Sequence, residues 1–439
     1  MADFAQLEVY IGDLSTAITS LITQCQRNGH ATGSPSENLS RLFGLEAPTE
    51  AHRARESALV ILTKLQIMLA GPTDLLQQMT IQTQLLACIR WLGEFQVPAC
   101  IPLDGSALMK DVSELIDVPE NQLGRIVRMA ATCGFLREPE PGHITHSALS
   151  ASFVTNPSYL DAAMFLAETA APAALDMVAA TKQRLGSSEP ASQNVVFDQG
   201  FFSAANKTQL RRLQRQWQAY LRHGMAHLCD ITTDFLTCLE PLRMGNASIV
   251  EVGARSAERA MALVDQYPTL HFTVQLSPAS TLSSASKNGT AASKVRHPRI
   301  RVQHRVPGTP QPIQDAMVYI INFPVPEPGV SYNSPVAQIS AELRAHLAPL
   351  RMNRSATIVL TAPSLPERGN VAAVGVARIR DLSLLQLANE QEVEMSDLLS
   401  LLNGVGDGEG RLVLVNEMRS AGNHGAVALE VKYQSYTDR

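Results

Sequence analysis

The chain has 439 residues, 45% of them hydrophobic, 18% charged and 5% aromatic; this is a globular composition on a length beyond one typical domain. A formal net charge of −5 and an isoelectric point near 6.1 exclude a global pull toward nucleic acid. The six cysteines are scattered without zinc-site spacing, which points to reduced thiols in an intracellular protein. No apolar run approaches the ~20 residues of a membrane helix, and the N-terminus has neither the basic nor the apolar region of a secretion signal.

In chain order, residues 1–99 read as N-terminal helices. Leu7, Ile11, Leu14, Ile18 and Leu21 mark the first apolar face, and a polar stretch near 27–48 reads as a flexible linker. Helical patterns resume at 50–70 and 74–95; Leu85, Leu86, Ile89, Leu92 and Phe95 on the second form a face that asks for a partner surface. Residues 100–155 read as helix, turn, helix and hairpin: 111–118, then 120–133 behind Pro119, a stop at Gly134, and two short strands across Pro139–Gly142. Together these make a winged helix. Residues 156–240 carry bridging helices, with one long helix expected over 159–185.

From residue 241 to 439 the pattern changes to short β-rich runs alternating with helices. The runs are 249–252, 272–275, 300–303, 317–321, 357–361, 412–417 and 427–433. The alternation predicts an α/β doubly wound sheet with a terminal antiparallel strand. A Ser/Ala/Gly-rich stretch near 277–296 reads as a disordered insertion.

The most informative stretch is Ile249–Ala257. A strand ending in an acid, then Gly-x-Gly-x-Gly, then a helix, is how many methyltransferases hold S-adenosylmethionine, because glycine lets backbone approach the ligand. Glu251 and Gly253 stand, but the next two glycine places hold Arg255 and Ala257. An arginine at the closest approach is expected to fill cofactor space.

From about residue 75 onward the chain resembles the plant and fungal small-molecule O-methyltransferases: helical segments, a winged helix, then a class I methyltransferase domain. That resemblance implies sites which this sequence alters one after another. The acid for the ribose hydroxyls falls at Leu276, the acid near the adenine at Arg305, and the His-Asp-Trp segment of the general base at Pro326-Glu-Pro328. Of the acids around the base, Glu392 or Glu390 could still be in place. The pocket of Glu251, Gly253, Arg255, Ala257, Leu276 and Arg305, with the base lost at Pro326, is therefore expected to be degenerate and to bind no cofactor.

Four stretches are similar to the aflatoxin-cluster transcriptional co-activator family, the AflS/AflJ type of fungal protein. They are 84–103, 135–146, 380–390 and 411–417. This resemblance implies a methyltransferase-like protein in the nucleus, and in the cytoplasm as well, working beside a binuclear zinc-cluster activator of a polyketide gene cluster.

The residues also leave blander readings. Asn121, Gln122, Arg125 and Arg128 could face DNA, but Glu114, Asp117 and Glu120 would repel phosphate, so sequence-specific DNA binding is not expected. Arg211, Arg212 and Arg215 on the densest basic helix are candidates for an acidic partner; a solvated face is the plainer reading. Lys287, Lys294, Arg296, Arg299, Arg301 and Arg305 suggest a mobile basic segment. His223 and His227 lie at i, i+4 without a recognisable third ligand, so no metal site is assigned. A homodimer through the N-terminal helices and winged helix is the expected assembly. Two functions compete: a non-enzymatic co-activator with no catalytic residue, or an enzyme on the same fold, a methyltransferase or a cyclising or pericyclic catalyst using the old pocket.

Overall fold

A computed structural model describes residues 4–27, 49–186, 207–225, 247–276, 297–328, 334–363, 371–391, 393–419 and 426–438. The expected linker, the expected insertion, His227 and Glu392 lie outside these residues. The chain divides into two compact units, Met1–Thr169 and Ala170–Arg439.

In the first unit, α1 (Phe4–Arg27) and α2 (Thr49–Leu69) run against each other. Their contact is built on small residues, with Ala17, Ala51, Ala54 and Ala58 buried. α3 (Pro72–Glu94) starts with Pro72, whose missing N–H costs nothing in a first turn, and the Asp74 carboxylate accepts from Gly71 N at 2.8 Å. The apolar face expected to seek a partner is partly used inside the chain itself. Leu92 is buried, and Leu85 and Ile89 pack on the core formed by Val97, Met109, Leu123, Val127 and Ile144. The exposed apolar side chains of α3 are instead Leu75, Leu76, Met79 and Ile81, one to four turns earlier.

That core lies within β1 (Ala107–Leu108), α4 (Met109–Leu115), α5 (Glu120–Thr132), β2 (Leu136–Arg137) and β3 (His143–His146), with the strands in antiparallel order β1-β3-β2. α5 turns Leu123, Val127 and Ala130 inward at helical spacing and stops before Gly134, whose φ of +72° a side chain would oppose. α6 (Ala148–Thr155) and α7 (Pro157–Phe165) follow. The single long helix expected over 159–185 is broken. A π turn at Leu166–Ala170 precedes α8 (Ala171–Leu175) and α9 (Met177–Gly186). Pro172 has no N–H to donate and its ring crowds the preceding turn, which is where the ladder widens to π spacing, and a turn at Asp176 separates α8 from α9.

The second unit contains α10 (Lys207–His223) and a seven-stranded sheet. Its strands are β4 (Ser248–Ala254), β5 (His271–Leu276), β6 (Ile300–His304), β7 (Val318–Asn322), β8 (Thr357–Pro363), β9 (Gly410–Arg419) and β10 (Ala426–Ser435), in the order β6-β5-β4-β7-β8-β10-β9. The first five are parallel, and β10 is antiparallel to both its neighbours. All seven runs read from sequence are strands, and β4 lies inside the sheet between β5 and β7 and leads into a helix. β4 alternates faces: Ile249 and Ala254 join Leu263 and Val264 of α11 (Glu258–Gln266), while Val250 and Val252 join Ile339 and Leu343 of α12 (Pro335–Ala345) and Leu350 of α13 (Leu347–Met352). Between β8 and β9 lie α14 (Val371–Ala388) and α15 (Met395–Asn403). Near-continuous apolar strands covered on both faces are what a parallel sheet requires.

Candidate functional site at the carboxyl ends of the central strands

In an open parallel sheet the ligand crevice lies where neighbouring crossovers leave in opposite directions, here between β4 and β7. Glu251 stands there, 3% exposed. A buried carboxylate needs a cation and donors, and α11 supplies the cation from its first turn. Arg259 Nη1 lies 2.8 Å from Glu251 Oε1 and 2.9 Å from Asn322 Oδ1. Asn322 Nδ2 in turn donates to Glu251 Oε1 at 3.3 Å and to Val252 O at 3.1 Å. Gly253 turns the chain from β4 toward α11 at φ +69°. A Cβ there would meet Asn322 O at 3.7 Å, so backbone conformation, not space, calls for glycine.

Beside this, Leu276 ends β5 buried in the apolar cluster with Ala254 and Ile300, and its side chain has no acceptor to offer. Arg305 follows β6. It is 8% exposed, ion-paired with Glu342 of α12, and it also donates to Thr309 O. The second oxygen of Glu342 accepts from Gly308 N at 2.6 Å. His346, fully buried, donates from Nδ1 to Glu342 O at 2.7 Å and accepts at Nε2 from Gln311 Nε2 at 2.9 Å. Gln311 and Gln275 exchange amide hydrogen bonds at 2.7 and 3.0 Å. Burial pushes the His346 imidazole down to about 4, so the ring is neutral at physiological pH. The polar groups near the adenine-end position are thus engaged with one another.

A third cluster surrounds Pro326–Pro328. α10 presents its inner face to this segment: Trp217 Nε1 donates to Pro326 O at 2.9 Å, Gln214 Nε2 to Pro328 O at 3.1 Å, and Gln218 Nε2 to Glu327 Oε1 at 3.1 Å. Trp217 is fully buried. Burial holds the Glu327 carboxyl above the usual range, opposed by the positive charge of half-buried Arg255 and by the Gln218 hydrogen bond. The outer face of α10 carries Arg211, Arg212 and Arg215, all exposed. Arg222 pairs with Glu258 at 3.3 Å.

The structure brings together Glu251, Gly253, Ala257 and the neighbouring Arg255 around one strand-to-helix turn. The expected mobile basic segment is corrected at three of its residues, and Lys287, Lys294 and Arg296 lie outside the described residues. Arg301 is held in β6 opposite Thr273 of β5. Arg305 is locked to Glu342, and Arg299 is spent on the carbonyls of Val264, Tyr267 and Leu270, at 2.9, 3.0 and 3.3 Å, closing the end of α11. Glu390 is half-buried, and burial raises its carboxyl. No cluster of potential metal ligands occurs among the described residues. Sequence reading missed Arg259, Asn322, Glu342, His346 and the grip of α10, and dismissed Glu327. The available signals were slight: an arginine eight residues after the strand acid, and a carboxyl flanked by prolines.

The strand order and the crevice between β4 and β7 define a class I methyltransferase-like fold. Solved structures agree, at identities that speak for the fold alone. The LepI complex with SAM matches with a TM-score of 0.63 at 15% identity, over 96% of this chain and 100% of that one. OxaC in complex with SAH and oxaline matches with 0.59 at 17% identity, over 97% and 100%. A family model for the trypacidin cluster transcriptional coactivator tpcD N-terminal domain matches residues 4–70, which contain α1 and α2. The transcriptional coactivator AacuS of Aspergillus aculeatus is 53% identical over 429 residues, 95% of this chain and 100% of that protein. The monodictyphenone cluster transcriptional coactivator mdpA of Emericella nidulans is 43% identical over 481 residues, covering 99% of each. The chain belongs to the family of fungal transcriptional coactivators of secondary-metabolite gene clusters.

Proposed function

We propose that this chain is a non-enzymatic coactivator on a methyltransferase scaffold, acting in the nucleus with a binuclear zinc-cluster activator of a polyketide cluster. The observation that carries the reading is the internal neutralisation of the old cofactor crevice. Glu251 is paired with Arg259, Arg305 with Glu342, and Leu276 offers nothing to a ribose. S-adenosylmethionine does not fit this set: its hydroxyls and adenine would meet an apolar end and an engaged ion pair. Each polar contact forgone costs about 1–3 kcal/mol, so two or three weaken affinity by orders of magnitude. Family membership supports the coactivator role. The acidic overall charge, and the engagement of Arg128 with Glu138 at 2.9 and 3.0 Å across the winged helix, support a role without base reading.

The basic outer face of α10, with Arg211, Arg212 and Arg215, is the surface proposed for an acidic region of the activator. The exposed Leu75, Leu76 and Met79 of α3 are proposed for the homodimer, checked by the mass in solution scattering. One observation favours the enzymatic alternative: Glu327, a half-buried carboxyl in the segment where the O-methyltransferases carry their general base. The test is calorimetry of the purified chain with S-adenosylmethionine, alongside co-purification with the activator. The proposal expects no cofactor heat and a stable pair. Micromolar cofactor binding, or methylated product, would overturn it.

A further inference from the structure

We propose that the outer face of α4 is a docking surface for a basic amphipathic protein segment. α4 buries Met109, Val112 and Ser113 and leaves the opposite stripe bare. Leu108 at its N-cap is 46% exposed, Leu115 at its last position 71%, and Leu103 in the preceding loop 48%. Leu115 ends the helix and Leu108 precedes it at the extended N-cap, so the two leucines flank the buried Val112 at the edge of the exposed face, beside exposed Asp111 and Glu114. Glu114 neighbours Leu115, exposed Asp117 follows in the turn, and exposed Glu120 starts α5. The helix carries one cation, Lys110, 3.9 Å from Glu114. Across residues 100–146 carboxylates outnumber Lys and Arg by seven to four.

Leucines set among carboxylates select their occupant. A nucleic acid brings phosphates to a negative face and is repelled. An apolar partner without charge would desolvate Asp111 and Glu114 against the single cation Lys110. A segment with apolar residues flanked by lysines or arginines satisfies both demands. The inference rests on the coactivator reading, because a DNA-binding activator must carry basic segments to neutralise phosphate. The α10 arginines have the opposite charge and would engage a different, acidic region.

The experiment uses the full chain, the full-length zinc-cluster activator and a random-sequence DNA duplex as probes. Affinity is read for wild type, for the D111K/E114K double variant, for L115S, and for charge reversal of Arg211, Arg212 and Arg215. The α4 positions are exposed, so their variants should melt as wild type does. The double variant should weaken activator binding about tenfold or more and flatten its salt dependence, and L115S should weaken it without changing the salt slope. Wild-type binding matched by both α4 variants overturns this surface while leaving the pairing intact. Failure of wild type to bind the activator at all overturns the pairing and this surface with it. Duplex binding that the double variant alters, or self-association lost in L115S with activator binding kept, assigns the face elsewhere and overturns the inference.

Discussion

Arg259 Nη1 stands 2.8 Å from Glu251 Oε1, so the acid that opens the glycine motif is neutralised by its own domain, one turn into the following helix. Both side chains are largely buried, at 17% and 4% exposure. Removing one partner leaves an uncompensated charge, which costs more than the pair contributes. Arg259→Ala should therefore destabilise the second unit by about 3–5 kcal/mol, and the double change with Glu251→Gln should recover part of the loss. Urea melts of the three variants check this; an R259A melt equal to wild type would contradict it.

Gly253 is held at φ +69° with room for a methyl group. Gly253→Ala should cost roughly 1–2 kcal/mol from backbone strain alone. Gly253→Asn, whose side chain tolerates that region, should cost less. A melt showing alanine neutral would mean the turn relaxes.

His346 gives the fold a signed pH dependence. Its folded value is about 4, below the unfolded 6.5, so the unfolded chain binds the extra proton between them. The stability it contributes is complete above about 6.5 and is lost as pH falls toward 4, on the order of 3 kcal/mol in all. His346→Asn should be less stable than wild type at pH 7, and the gap should shrink as pH falls through that window. A gap that stays constant with pH would contradict the assignment.

Glu327 has the opposite sign. Burial raises its folded value, so its charge is a penalty at neutral pH that fades as pH falls toward the unfolded value of 4.5. Glu327→Gln keeps an acceptor for Gln218 and should raise the melting temperature at pH 7, with the gain shrinking on acidification. A loss of stability at pH 7 would show that the Arg255 charge outweighs burial.

The fold was legible because its signals are local. β4, β5, β7 and β8 are runs of Val, Ile, Leu and Thr that need both faces covered, and Gly134 and Pro119 punctuate the helix pair. Pro172 was equally visible, but a helix can start at a proline as readily as end before one, and the π turn ahead of it has no residue signature. Much less of the site could be read. Glu251 and Gly253 belong to a contiguous motif, whereas Glu251–Asn322 spans 71 residues and Arg305–Glu342 spans 37. Those pairings exist only once the parallel strands are in register. Arg299 and Arg305 counted as mobile basic charge in sequence because nothing local shows a cation meeting helix carbonyls or a distant glutamate.

Deletion of the gene followed by complementation, with cluster transcripts and metabolites read together, separates a coactivator from an enzyme. Deletion should lower transcripts across the cluster, and wild type, Glu327→Gln and Arg255→Ala should each restore them, because no chemistry depends on those side chains. Unchanged transcripts with one accumulated pathway intermediate, rescued by wild type and not by Glu327→Gln, would contradict the coactivator role and identify an enzyme.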